Sequence, residues 1–168
     1  MKPQFLLNGT LVKRYHAVDT IKEDLVGRHS HGVAMLAWAM TDGKASANLL
    51  MRCLTHDMGE QATGDVPSHT KRALGEEALA ALDAMEDGVL EDNGLLIFLM
   101  PEEENIAKIA DCLDGMLFCV RERRLGNKNM RIVFNRYHEY IRAMPFPGEV
   151  ALNVVRDVII LWREADES

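Results

Sequence analysis

Apolar residues recur at helical spacing along almost the whole chain, and this periodicity is the strongest constraint on its fold. In the last stretch, about 148–164, Val150, Val154, Val158 and Leu161 share one stripe. The stretch 47–57 carries Leu49, Leu50, Cys53 and Leu54 at the same spacing, behind Ser46, a residue suited to capping a helix N-terminus. Residues 75–86 (GEEALAALDAME) are strongly amphipathic, and 29–40 (HSHGVAMLAWAM) form a mostly apolar helix that stops near Thr41-Asp42-Gly43. Pro67 can start a short helix after the loop that begins at Gly64. Pro101-Glu102-Glu103-Glu104 starts another, with acids placed favourably against the helix dipole, and this one should run to about Arg124 before Gly126. A further helix covers about 128–143 and is broken by Pro145-Phe146-Pro147. Only 95–100 (LLIFLM), after the turn Asp92-Asn93-Gly94, reads equally as strand or buried helix. No repeat, linker or low-complexity tract interrupts the pattern. The expectation is an all-α, compact single domain over residues 1–168, long enough to bury a core without covalent staples.

Charge and cysteine usage narrow the function. A formal net charge of −7 argues against coating nucleic acid, which needs clustered cations, but leaves room for a local basic pocket that takes a small phosphate ester. Cys53, Cys112 and Cys119 are an odd count without a C-x-x-C pair, so buried reduced thiols are expected. No apolar run reaches the roughly 20 residues of a membrane span, and Met1-Lys2-Pro3 leads into only a brief apolar patch rather than a signal peptide. These features fit a cytoplasmic protein with no membrane contact.

The stretch 56–67, HDMGEQATGDVP, places a histidine and three carboxylates within ten residues of the end of an apolar helix. Such groups are costly to bury unless something holds them, and a metal ion is one candidate. His56 and Asp57 are adjacent and would diverge by about 100° on a regular helix, but can turn to one point where the helix ends. His29, at the start of an apolar helix, and Asp111, inside the apolar run 106–113, are candidate partners. Two imidazoles and two carboxylates suit one divalent first-row ion (Co, Mn, Zn or Fe), with Mg also compatible. Glu60, four residues after His56, is placed to orient water or move protons. Taken singly, each of these residues has an ordinary structural explanation; Asp111, for instance, can pair with Lys108 one turn earlier.

The order H…HD…D resembles the HD-domain superfamily of metal-dependent phosphohydrolases. The likeness tightens to its small helical branch of bacterial 5′-deoxynucleotidases and phage dATP triphosphohydrolases. Arg14-Tyr15 resembles that branch's Arg-Trp pair, His29-Ser30 with Val33-Ala34-Met35 its H-S-x-x-V-A-M helix, and Lys108-x-Ala110-Asp111 its K-x-A-D. His56-Asp57-x-x-Glu60-x-x-Thr63-Gly64-Asp65-x-Pro67, followed by Lys71, reproduces its HDxxExxTGDxP block. The matches span about residues 13–114; the C-terminal helices match only in kind.

The resemblance implies an HD-type helical bundle in which His29, His56, Asp57 and Asp111 bind the metal and Glu60, with Asp57, carries the catalysis. Arg14 would hold phosphate oxygens, Asp65 would meet the sugar, and Lys71 and Lys108 would neutralise phosphate charge. Tyr15 stands where the branch usually has Trp, which keeps a flat aromatic face but alters the fit against the deoxyribose. The implied substrate is a small deoxynucleotide, and the implied assembly a homo-oligomer, dimer or hexamer. The compact stretch between His56-Asp57 and Asp111 looks more like the phage enzymes, which favours a dNTP triphosphohydrolase releasing deoxynucleoside and triphosphate. A 5′-deoxynucleotidase acting on dNMPs is the alternative, and a non-catalytic nucleotide-binding module a distant third. His31, His69 and the basic group Arg121, Arg123, Arg124, Lys128 and Arg131 are expected to be solvated, and His16 to sit on the pocket rim.

Overall fold

The computed structural model describes residues 2–167; Met1 and Ser168, the ends of the expected single domain, lie outside it. Eight α-helices follow in chain order among the described residues: α1 (Pro3–Thr10), α2 (Val26–Met40), α3 (Ala47–Thr55), α4 (Ser68–Ala73), α5 (Glu76–Asp92), α6 (Pro101–Arg124), α7 (Met130–Arg142) and α8 (Glu149–Glu167). A 3-10 turn, Met58–Gln61, links α3 to the loop before α4. Two short strands, β1 (Lys13–Arg14) and β2 (Asp24–Leu25), pair antiparallel with Arg14 opposite Asp24.

Helix α6 is the central element, packing on α2, α3, α7 and α8. Pro101 begins it at a position where the missing N–H costs nothing, and Glu102, Glu103 and Glu104 fill its first turn. Ile109, Leu113, Met116, Phe118 and Cys119 are fully buried along it, and the side chains of α2 (Val33, Ala37, Met40) close over them. Ser46 caps α3 as expected, its hydroxyl accepting from the Leu49 N–H at 3.0 Å. A second, smaller apolar cluster of Phe5, Val26, Met58, Leu90 and Leu95 lies under the 3-10 turn and fixes its height on the fold. All three cysteines are buried and free.

Three features differ from the periodicity argument. Residues 95–100 are neither strand nor helix: Leu95 is buried and Leu99 packs on the core, but Phe98 is 83% exposed. No neighbouring strand offers this segment a ladder, and the position before Pro101 is restricted to extended backbone. The buried stripe of α8 is Ala151, Val155, Val158, Trp162 and Ala165, rotated from the expected one so that Val150 is exposed. The stacking of Trp162 on Phe134, centroids 4.1 Å apart, sets that rotation. Helix α1, whose apolar patch is short, packs against the 3-10 turn. Among the described residues no helix is long and apolar enough to cross a membrane.

Candidate metal centre and substrate cavity

Helix α3 ends at Thr55, and the chain then tightens into the 3-10 turn, so His56 and Asp57 leave the regular helical screw. Both side chains turn toward His29 on α2: donor atoms of His29, His56 and Asp57 all lie within 4.8 Å of one another. The two imidazole Nε2 atoms are 3.3 Å apart. Asp57 spans them, Oδ1 3.2 Å from His56 Nε2 and Oδ2 3.4 Å from His29 Nε2. Asp111 on α6 reaches the same point, its Oδ1 3.1 Å from His29 Nε2.

The far side of each ring is already engaged. His29 Nδ1 meets Asp114 Oδ2 at 2.7 Å, and His56 Nδ1 meets the Cys53 carbonyl at 2.9 Å. With each Nδ1 engaged by an acceptor, both Nε2 atoms point at the common centre, the orientation metal-binding histidines adopt. The residues therefore fit a divalent ion by donor chemistry and by orientation, in a mixed N/O set.

Electrostatics agree. Burial and the Arg14 charge oppose protonation of His29, yet Asp111 and Asp114 outweigh them and raise its pKa to about 9. Asp57 and Asp111 lose solvation, but their neighbours hold both below the usual carboxylate range. For Asp57 these are His56, Arg14 and His29; for Asp111 they are the His29 hydrogen bond and charge with His56 and Arg14. Glu60, on the 3-10 turn, behaves oppositely. Burial first, then the charges of Asp57 and Asp65, push its pKa up to about 9 against the pull of Arg14 and Lys71. Its Oε2 is buried without a hydrogen-bond partner.

A cavity of about 550 Å³ opens beside the donors. Its walls include Arg14, Tyr15, Asp57, Glu60, Asp65, Lys71 and Asp111, with Ala17, Val18 and Val133 as apolar surface and Arg72, Arg136, Tyr137 and Tyr140 around them. Arg14 Nη1 contacts Asp57 Oδ2 at 2.7 Å; burial works against its charge, and Asp57, Tyr15 and Asp111 more than compensate. Tyr15 adopts φ 56°, a left-handed conformation unusual for a side chain of this size. Three contacts hold it there: its N–H donates to Asp65 Oδ2 at 3.2 Å, its ring stacks on Phe118 at 4.7 Å, and its hydroxyl lies 2.9 Å from that of Tyr137. The next loop turns at Gly64, whose φ of 74° suits glycine and brings Asp65 back toward Tyr15.

The HD domain family model matches residues 11–111, most of the chain's length and all of the converging donors. The chain belongs to the HD-domain family. This HD domain is 30% identical to the dATP triphosphohydrolase of Salmonella phage PMBT28, over 99% of this chain and 89% of the relative. It is 26% identical to the 5′-deoxynucleotidase of Shewanella oneidensis over 82% of each chain. Among solved structures it is similar in fold to the cyanophage S-2L HD phosphohydrolase (DatZ) bound to dA and one catalytic Zn2+ ion. The TM-score is 0.71 at 20% identity, covering 100% of this chain and 98% of that one.

Of the residues singled out from the HD sequence, the fold brings Arg14, Tyr15, Asp57, Glu60, Asp65, Lys71 and Asp111 to the cavity wall, with His29 and His56 behind it. Lys108 is not part of that wall; it is exposed and its Nζ lies 3.6 Å from Glu104. Lys71 Nζ lies 3.8 Å from Glu86 Oε2. His16 lines a neighbouring cavity of about 430 Å³ that shares Glu60 and Asp65 with the first. His69, expected to be solvated, sits in α4 and lines the main cavity. Asp24, Arg28 and Asp114, which surround Arg14 and His29 with ion pairs, and Tyr137, on the cavity wall, were not singled out from the sequence. Asp114 had a signal, a second carboxylate one turn after Asp111 in the same apolar run.

Proposed function

We propose that this HD domain is a metal-dependent phosphohydrolase of 2′-deoxyribonucleotides, of the dNTP (dATP-type) triphosphohydrolase kind, which releases deoxynucleoside and triphosphate in nucleotide-pool control. One observation carries the reading: two inward-facing imidazoles and two carboxylates converge beside Glu60, whose buried Oε2 has no hydrogen-bond partner. A divalent ion held by His29, His56, Asp57 and Asp111 would supply Lewis acidity to a phosphate oxygen and lower the pKa of a bound water.

The chain's own groups do the rest. Water adds its oxygen to the α-phosphorus and gives up one proton, the bond from phosphorus to O5′ breaks, and O5′ must gain a proton. Glu60, whose burial and whose neighbours Asp57 and Asp65 favour its protonated form, is the group to deliver that proton and to recover the one the water gives up. Asp57 stays ionised and holds Arg14 in place, while the guanidinium presents its other donors to phosphate. Lys71, Arg72 and Arg136 give the wall three further cations, which favours a substrate with several phosphates over one. Tyr15 and the apolar patch of Ala17, Val18 and Val133 suit a deoxyribose and a flat base. The similarity to a 5′-deoxynucleotidase supports the second reading, hydrolysis of dNMPs in the same site.

The proposal includes one domain spanning the chain, a cytoplasmic setting and a homo-oligomer, dimer or hexamer. Exposed Phe98, Met100, Met51 and Leu54 are apolar surface available to such a contact. The variants Glu60→Ala and Asp57→Ala test the catalytic assignment. Glu60→Ala should keep metal and lose turnover by about 10²–10⁴-fold, whereas Asp57→Ala should lose both. Near-parental rates in Glu60→Ala would remove Glu60 from its role.

A further inference from the structure

Five ionic side chains and the His29 imidazole close a ring that runs from the metal donors His29 and Asp57 into the fold behind them. Arg14 Nη1 lies 2.7 Å from Asp57 Oδ2, which is 3.4 Å from His29 Nε2. His29 Nδ1 lies 2.7 Å from Asp114 Oδ2, and that oxygen is 2.9 Å from Arg28 Nη2. Arg28 Nε lies 2.5 Å from Asp24 Oδ1, and Asp24 Oδ2 returns to Arg14 Nε at 3.5 Å. Arg14 and Asp57 of this ring face the substrate cavity, and His29 lies behind its wall. The rear arc, Asp24, Arg28 and Asp114, does not line it.

Two carboxylates of this rear arc are almost fully buried, Asp24 at 1% and Asp114 at 2% exposure. Buried charge adds little to stability compared with well-packed apolar groups, so its presence calls for another explanation. The backbone is also shaped around the arc. The β1–β2 pairing sets Arg14 directly opposite Asp24. On α2, Gly32 lies one turn beyond Arg28 and His29, and a Cβ there would sit 2.0 Å from Asp114 Oδ1. The glycine makes the space through which Asp114 reaches both of them.

We propose that Asp24, Arg28 and Asp114 are positioning residues forming one brace, which fixes the phosphate-binding Arg14 and the metal-binding His29 relative to each other. The inference rests on the roles given above to Arg14 and His29. Asp114 sets the tautomer and ring orientation of His29, Asp24 sets the guanidinium of Arg14, and Arg28 joins the two. The brace deepens the functional reading by making metal capture and phosphate capture parts of a single rigid unit.

The test reads metal binding by the metal-free full-length protein, using Co2+ alone in calorimetry together with its visible absorption, and then KM for a deoxynucleotide. Asp114→Asn should weaken Co2+ binding about 10–100-fold and change the absorption band. Gly32→Ala, which leaves every charge in place, should do the same by displacing the Asp114 carboxylate. Asp24→Asn should raise KM about tenfold while leaving Co2+ affinity within about threefold of the parent, following the different ends of the arc they touch. Arg28→Met, at a partly exposed position that keeps its apolar stem, should move both readouts, and should add little to Asp114→Asn in the metal readout. Parental Co2+ affinity and absorption in both Asp114→Asn and Gly32→Ala would overturn the brace, as would parental values of both readouts in Arg28→Met. If Asp114→Asn does not fold, Arg28→Met and Gly32→Ala decide alone. The Co2+ measurement needs no turnover, so an inactive parent would contradict the functional reading and not the brace.

Discussion

Glu60 occupies a position where a carboxyl group cannot keep its charge cheaply, and that cost is measurable in the metal-free protein. Its pKa of about 9 compares with an ordinary value of 4.5, because burial and two neighbouring aspartates disfavour the anion. Between those values the native state holds a proton the unfolded chain has released, so stability falls as pH rises through this window. Metal-free Glu60→Gln should therefore be more stable than the parent at pH 8, by about 1–3 kcal/mol. The two should converge as pH drops toward 4.5, as urea unfolding at both pH values would show. His29 gives a second pH signature. With its pKa near 9, an incoming metal must displace a proton, so affinity should rise by up to about tenfold per pH unit and level off above pH 9. Calorimetry in buffers of different ionisation enthalpy would count that proton, and pH-independent affinity would exclude His29 as a ligand.

At the scale of elements, the division of labour follows local backbone geometry. The 3-10 turn Met58–Gln61 carries Glu60 away from the candidate metal donors His56 and Asp57, and Met58 in that turn belongs to the small apolar cluster. The two-residue ladder sets Arg14 opposite Asp24, and it is too short to leave a period in the sequence. Helices were legible because α2, α3, α6 and α7 carry their apolar residues at helical spacing between Gly and Pro stops. The rotation of α8 was not, because aromatic stacking across helices, and not periodicity, decides which face is buried. Trp162 lies between the Phe134 ring and the Arg123 guanidinium, which sits 4.6 Å from its centroid. Trp162→Ala should cost about 3–5 kcal/mol in chemical unfolding while leaving metal affinity unchanged, since the converging donors among the described residues come from α2, the end of α3 and α6.

For the whole molecule, a net negative chain surrounds a cavity whose wall concentrates cations against four carboxylates. The motif residues of that wall could be read from the sequence because their types and spacing recur together in one family. What could not be read is the ring behind them. Asp24 and Arg28 are four residues apart and Asp114 follows Asp111 by one turn, but the three meet only when α2, α6 and β2 pack, so neither spacing announces the ring. The same limit hides Tyr137, which reaches Tyr15 from α7 across 122 residues of chain. The central claim is that these parts act on the bond between a deoxynucleoside and its triphosphate. Incubating the metal-supplemented protein with dATP and separating the phosphate products tests it most directly. The account predicts deoxyadenosine and triphosphate in equal amounts, lost in Glu60→Ala; orthophosphate released from dAMP while dATP stays intact would contradict it.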